Sequence, residues 1–214
     1  MNLDLTADQL LSTTRSVRKR LDLERPVETE IVLECLDLAL QAPTGSNRQG
    51  WHWMFITDDD KKKALADLYK TNFLAYRDSG ARPTYEDSDT RAQRQTAVTD
   101  SANYLADHFH EVPILMIPLL EGRLDNLPAF AAASTWGSLL PAVWSFMLAL
   151  RSRGLGSAWT TLHLPSEREA AEILDIPFDK YTQGGLFPIA YTIGTDFKPA
   201  ARIPTDQIVH WNSW

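Results

Sequence analysis

Residues 51–57, WHWMFIT, are apolar and aromatic on both faces of a strand, and a strand of that kind belongs inside a sheet that is covered on both sides. Two further strands are expected in VPILMIPLL, residues 112–120, and in LFPIAYTIG, residues 186–194. A shorter one is expected in SAWTTLHL, residues 157–164, running on into a loop. Helices are expected around them. Asp4 to Thr14 reads as one, and Val27 to Gln41 as another, with Ile31, Cys35 and Leu38 at helical spacing and Pro26 just ahead. Pro43 and Gly45 end it. Asp58 to Asp60 followed by Lys61 to Lys63 places acids at a helix start and cations after them, the order the helix dipole favours. Another helix is expected near Thr99 to His110. A long apolar one, from about Ala129 to Arg153, stops at Gly154 and should be central, since it is apolar nearly all round. SEREAAEIL, residues 166–174, reads as a helix begun by Ser166.

Residues 71–99 are polar, rich in turn formers and poor in apolar periodicity, and a loop of that length in a compact chain reads as a lid. The tail, residues 196–214, has no helical stripe and reads as a C-terminal arm. With no repeat, linker or low-complexity segment, residues 1–214 are expected to form a single domain. Helices and strands alternate imperfectly, which favours an α+β sheet sandwich with helices on both faces.

Composition removes several classes of function. The chain has 214 residues, 44% apolar, and carries 21 Lys and Arg against 28 Asp and Glu, for a net charge of −7. That balance argues against a binder of nucleic acid. Area scaling gives roughly 10,000 Å² of folded surface against about 35,000 Å² extended, enough to bury about 70% and build one core. The longest apolar runs, 112–120 and 139–150 (broken at Ser145), fall short of the roughly 18 residues of a membrane helix, so no membrane association is expected. MNLDLTADQLL has an acidic start and does not read as a signal peptide, making the cytoplasm the expected location. The lone Cys35 excludes an internal disulfide or a multi-cysteine metal site and suits core packing.

Familiar catalytic patterns fail in turn. Gly45 to Gly50 is G-x-x-x-x-G, but Trp51 stands where a P-loop needs Lys. Gly154-Leu155-Gly156 has Trp159 at the third glycine position and precedes a strand, so it is no dinucleotide fingerprint and suits a helix stop. His108 and His110 are two apart, without an HExxH partner, and no metal site is expected. No G-x-S-x-G elbow anchors an acyl-transfer triad. What remains is a scattered set of donors. Thr14-Arg15-Ser16-Val17-Arg18 carries two guanidinium groups and two hydroxyls, a set suited to phosphate and equally to a solvated basic turn. Pro43-Thr44-Gly45-Ser46-Asn47-Arg48-Gln49 is a donor-rich loop or an ordinary polar connection. Arg202 is a third cation, in a tail of low charge.

In this order and at these intervals the segments resemble the FMN-dependent nitroreductase family. TRSVR (residues 14–18) is similar to the family's R-R-S-x-R, and APTGSNRQGWHW (42–53) to its A-P-S-x-x-N-x-Q-P-W-x-F. GLGSAWTT (154–161) is similar to the glycine-led strand under the flavin, and ARIP (201–204) to the C-terminal Arg segment. The wording as a whole looks most like actinobacterial members. The resemblance implies a nitroreductase-like α+β fold: a central, mostly antiparallel sheet flanked by helices in a domain-swapped homodimer with shared active sites. It implies FMN held by Arg15, Ser16 and Arg18, one guanidinium on the phosphate and another at the N1 and O2 edge, where a fixed cation favours hydride acceptance. Arg202 would complete the phosphate clamp. Pro43, Thr44, Gly45 and Asn47 would approach from the partner subunit. Trp159, Thr160 and Thr161 would lie along the ring, with a backbone or hydroxyl donor near N5, and Gly154 and Gly156 would allow the tight turn towards it. His163 and Tyr85 are candidates for the pocket border, His163 also suiting a packed position after a strand.

Three positions depart from the pattern: Thr14 for the first Arg, Gly50 for the Pro after Gln49, and bulky Trp159 where members vary. The implied activity is ping-pong. NAD(P)H reduces the flavin and leaves, and a small planar acceptor such as a nitroaromatic or quinone takes its place, with no side chain acting as nucleophile or dedicated acid. Alternatives on the same fold are reductive dehalogenation, flavin breakdown, or flavin binding without turnover.

Overall fold

In the computed structural model, which describes residues 2–86, 89 and 91–214, the apolar runs form a five-stranded sheet. Its strands are β1 (Trp51–Ile56), β2 (Ile114–Glu121), β3 (Leu155–Ser157), β4 (Tyr181–Gln183) and β5 (Phe187–Tyr191). The order is β1-β2-β5-β3, and β4 also pairs with β2. Every strand pairing is antiparallel. The helices are α1 (Ala7–Thr13), α2 (Thr29–Ala39), α3 (Asp59–Asp78), α4 (Ala92–His108), α5 (Ala129–Ser152) and α6 (Glu167–Ile173).

Alternation along the strands explains the layers. In β2, Leu115, Ile117 and Leu119 pack with Leu65 and Tyr69 of α3, Leu105 of α4 and Ala170 of α6. Ile114, Met116 and Leu120 point the other way, into a core with Val32 and Cys35 of α2 and Phe146 of α5. Each residue fully buried there stabilises the fold by about 1.5–3 kcal/mol. A strand that is apolar on both faces therefore lies between two helical layers, and the fold is mixed α+β with an antiparallel sheet. Cys35 is buried in the second core, where burial pushes its thiol up to about 11.

Several expected boundaries move, each for a local reason. The helix expected from Asp4 begins at Ala7, because Thr6 caps it: Gln9 N–H donates to Thr6 Oγ1 and Thr6 N–H to Gln9 Oε1, a reciprocal capping box. The helix expected over 27–41 runs Thr29–Ala39, and the strand expected over 112–120 runs Ile114–Glu121. Of the lid segment 71–99, residues 71–78 complete α3 and 92–99 open α4. The segment is thus two helix ends joined by a connection, of which residues 87, 88 and 90 lie outside the described set. Ser166 precedes α6 but does not cap it with its side chain; its hydroxyl accepts from Asn72 Nδ2 instead.

α5 is only half central. Its second half holds Val143, Phe146 and Leu150 in the core, whereas Phe130 near its start is 80% exposed. At 24 residues, with a mean hydropathy of 1.3 over its most apolar 18 residues, it is long and apolar enough by length and composition to cross a membrane, unlike the uninterrupted apolar runs considered alone.

Two features place the N-terminal segment. Gly154 follows α5 at φ 75°, a left-handed turn that favours glycine. Gly156 in β3 then lets the N-terminal segment approach: Val17 N–H donates to Ser157 O at 2.8 Å, and Ser16 bridges Ser157 in parallel. A Cβ at Gly156 would stand 2.9 Å from Val17 Cβ and 2.7 Å from Thr192 Cγ2. Gly156→Ala is expected to lower stability by about 1–3 kcal/mol through overpacking, read as a lower urea midpoint at unchanged slope. An unchanged midpoint contradicts the close approach.

Candidate functional site

Docking Val17 against β3 leaves the two neighbouring arginines on the surface of the fold. Val17 is buried, Ser16 is exposed, and Arg15 and Arg18 are half-buried. Thr14 turns inward and donates to Leu10 O at 2.7 Å, so it closes α1 and offers the site no donor. Arg18 lines a cavity of about 570 Å³ with Tyr69, Phe73 and Trp159-Thr160-Thr161, a size ordinary for a ligand site. Its guanidinium donates to Ser101 Oγ at 3.3 Å. Burial lowers the Arg18 pKa, partly offset by Tyr69, and pushes the Tyr69 hydroxyl up to about 12 against the pull of Arg18.

The segment 159–161 enters the cavity where the sheet breaks. β4 and β5 pair with β2 on the same side but are separated by Gly184 and Gly185. Gly185 has φ 149°, and a Cβ there would lie 2.9 Å from Thr160 O. Leu186 N–H donates to Thr160 O at 2.9 Å, and Thr160 Oγ1 donates back to Leu186 O. The Thr160 hydroxyl is therefore committed to the backbone. Thr161 stays exposed on the cavity wall, and Trp159 leans on Phe187 with ring centroids 5.2 Å apart.

Past Tyr85, Gln95 and Val98, which line both spaces, lies a second cavity of about 350 Å³ holding Arg91, Arg94 and Arg202. Arg15 stands at this end. Burial, then the guanidinium groups of Arg202 and Arg94, hold its pKa below the ordinary value. Arg91 is held by Asp89 at 2.6 Å, but among the described residues Arg15, Arg94 and Arg202 form no ion pair. Arg15 already donates through Nε to Lys198 O at 3.1 Å and through its terminal nitrogens to Thr14 O and Ser12 O. The donors left for an anion at this end are therefore mainly those of Arg94 and Arg202, with the Arg15 charge beside them. Arg94 was missed in the sequence because it lies in the polar segment read as a loop.

Arg151 was also missed. It is buried in α5 and donates through Nη2 to Thr195 O at 2.9 Å and Thr13 Oγ1 at 3.4 Å. One guanidinium thus ties the end of α1, just before Arg15, to the start of the arm that carries Arg202.

The structure brings Arg18, Trp159, Thr160 and Thr161 to the larger cavity and Arg202 to the adjoining smaller one, with Arg15 near Arg202 and Arg94 but lining neither. Pro43, Thr44, Gly45 and Asn47 are not there. Their loop lies against α5, where Gly45 N–H donates to Ser138 Oγ at 2.9 Å and a Cβ on Gly45 would meet Ser134 Oγ at 2.9 Å. Ser46, Asn47 and Gln49 all have φ between 51° and 54°, a concentration of left-handed backbone that costs free energy and clusters at functional loops. Tyr85 lines both cavities. His163 borders neither: it is fully buried, with Nε2 3.1 Å from Gln183 Oε1.

A family model described as "Nitroreductase family" matches residues 11–191. Among solved structures, an oxidized iodotyrosine deiodinase bound to FMN and 3-iodo-L-tyrosine is 21% identical, with a TM-score of 0.74 over 98% of this chain and 100% of that one. A BluB-like flavoprotein from Clostridium difficile is 17% identical, with a TM-score of 0.69 over 97% and 99%. The FMN-dependent nitroreductase NfnB from Mycobacterium smegmatis in complex with NADPH is 18% identical, with a TM-score of 0.68 over 96% and 97%. No curated protein matches the chain.

His163 supplies a test of the scaffold behind the cavity. Burial lowers its pKa to about 4 from 6.5, so the unfolded chain takes up the proton first as pH falls. The stability this provides is complete above pH 6.5 and is lost as pH falls towards 4. Between pH 7 and pH 5 it amounts to about 2 kcal/mol. Urea titrations should show that loss in the wild type, and His163→Gln should flatten it; equal slopes in both contradict the assignment.

Proposed function

The chain belongs to the nitroreductase family, and on that premise we propose that it is an FMN-dependent oxidoreductase passing two electrons from NAD(P)H to a small planar acceptor, a nitroaromatic or a quinone. The carrying observation is the pair of adjoining cavities, the smaller cationic and the larger aromatic. FMN has the same two ends, a phosphate and a flat ring. Bound there, FMN supplies the hydride chemistry. Across the cycle NAD(P)H becomes NAD(P)⁺, and the acceptor gains two electrons and two protons, turning quinone to hydroquinone or nitro to nitroso with loss of water.

The residues of the chain position and polarise. Arg94 and Arg202 would hold the phosphate, with the Arg15 charge beside them. Thr14 leaves that task to them because its hydroxyl is spent on Leu10. Arg18, fixed by Ser101, sets a positive charge beside the ring and favours an anionic reduced state. Trp159 to Thr161 line the larger cavity and would border the ring, and with the Thr160 hydroxyl engaged by Leu186 O, the donors left for N5 would be backbone N–H groups and the Thr161 hydroxyl. The described lining contains no carboxylate or histidine, so positioning is the main contribution of the protein.

A homodimer completes the site in this reading. The chain alone exposes 12,366 Å², against roughly 10,000 Å² for a compact monomer of its mass. Phe130, Trp211 and Trp214 are among the exposed apolar groups, surface that a partner copy covers. The strained loop at Pro43, Thr44, Gly45 and Asn47 then reaches the other copy's cofactor. Light scattering should give a dimer; a monomer retaining FMN contradicts the shared site.

Arg202→Ala is expected to weaken FMN about tenfold or more, the size of a charge-assisted hydrogen bond, and to leave riboflavin, which lacks the phosphate, unchanged. Equal losses for both ligands contradict the clamp. Steady-state kinetics under argon test the reaction, since parallel double-reciprocal lines for donor and acceptor fit ping-pong exchange and intersecting lines refute it.

A further inference from the structure

The proposed reading leaves the acceptor's chemistry open, and the wall formed after α3 narrows it. Arg82 lies 5.4 Å from the Phe73 ring centroid and 5.8 Å from that of Tyr76, and all three line the larger cavity together with Tyr85. Asp78 feels the Arg82 charge, but Arg77 holds that carboxylate at 2.7 Å. Among the described residues Arg82 makes no ion pair. The described lining carries two guanidinium groups, Arg18 and Arg82, and no carboxylate, in a chain whose acids outnumber its bases by 28 to 21. An acidic protein has thus built one cavity that is aromatic and positive. Arg18 is fixed by Ser101, whereas the Arg82 guanidinium lies over the rings of Phe73 and Tyr76.

We propose that the ligand taken beside the cofactor is a planar aromatic anion, its ring placed among Phe73, Tyr76 and Tyr85 and its carboxylate or phenolate on Arg82. In the proposed reaction this ligand is the electron acceptor, and to that extent the inference rests on the reductase reading. A guanidinium beside aromatic faces suits such a ligand, since it meets a carboxylate in a planar fork and the rings supply area without charge. A neutral acceptor of the same shape gains only the second contribution.

The test pairs 4-nitrobenzoate with 4-nitrobenzamide, which share ring and nitro group and differ in charge. Calorimetric titration of the purified, FMN-loaded protein should give the benzoate about tenfold tighter binding, the weight of one charge-assisted contact. Arg82→Ala should bring that ratio close to one while leaving the benzamide unchanged, and Arg82→Lys should restore part of it. The ratio of kcat/KM for the two compounds should fall in parallel on going from wild type to Arg82→Ala, so that their intrinsic difference in reducibility cancels. No charge preference in the wild type overturns the inference. Equal weakening of both compounds in Arg82→Ala also overturns it, by assigning Arg82 to packing. A raised KM for NADH or NADPH with the ratio intact overturns it too, by assigning the charge to the donor's phosphates. Selective, Arg82-dependent binding of the benzoate without any reduction supports the charge selection and rejects the reductase reading instead.

Discussion

The approach of Val17 to Gly156 is the contact on which the site depends. Where other β3 positions carry side chains, Gly156 presents bare backbone, and the N-terminal segment lies against it with Val17 buried and its N–H on Ser157 O. One short segment docked in this way sends Arg18 into the larger cavity and leaves Arg15 at the cationic end. Arg151 performs the matching task from below, holding Thr13 and Thr195 with one guanidinium. The two ends of the chain are therefore fixed on either side of one space, although Arg15 and Arg202 are far apart in sequence.

A second constraint is electrostatic. Arg15 feels the charges of Arg202 and Arg94, and folding gathers the three without a partner carboxylate among the described residues. Like charges held together are tolerated when a ligand of opposite sign repays the repulsion. The arrangement therefore links the stability of this corner to ligand binding, and it explains how a chain with a net charge of −7 offers a positive cavity.

Much of this was legible in the sequence where the physics is local. Residues 51–57, apolar on both faces, pointed to a strand buried inside a sheet, but β1 lies at the sheet's edge with Ile56 its one fully buried residue, and the interior place falls to β2. The spacing of Ile31 and Cys35 pointed to α2. Gly154 required a turn. The helical ends inside 71–99 were not legible, because their apolar residues are sparse: α4 opens on AQRQTAVT, and its helicity comes from tertiary packing rather than from a continuous stripe. β4 is three residues long, too short for any periodicity. Arg15 and Arg202 were singled out through family resemblance, whereas Arg94 gave no local signal. The position of Pro43 to Asn47 away from the cavity of its own chain follows from topology, which motif spacing does not encode.

The account stands most directly on the visible spectrum of the purified protein under argon. It predicts a yellow protein whose flavin absorbance bleaches on adding NADH or NADPH and returns when a nitroaromatic or quinone is added. A flavin that stays oxidised in the presence of both donors contradicts it, and so does a colourless protein that takes up no added FMN.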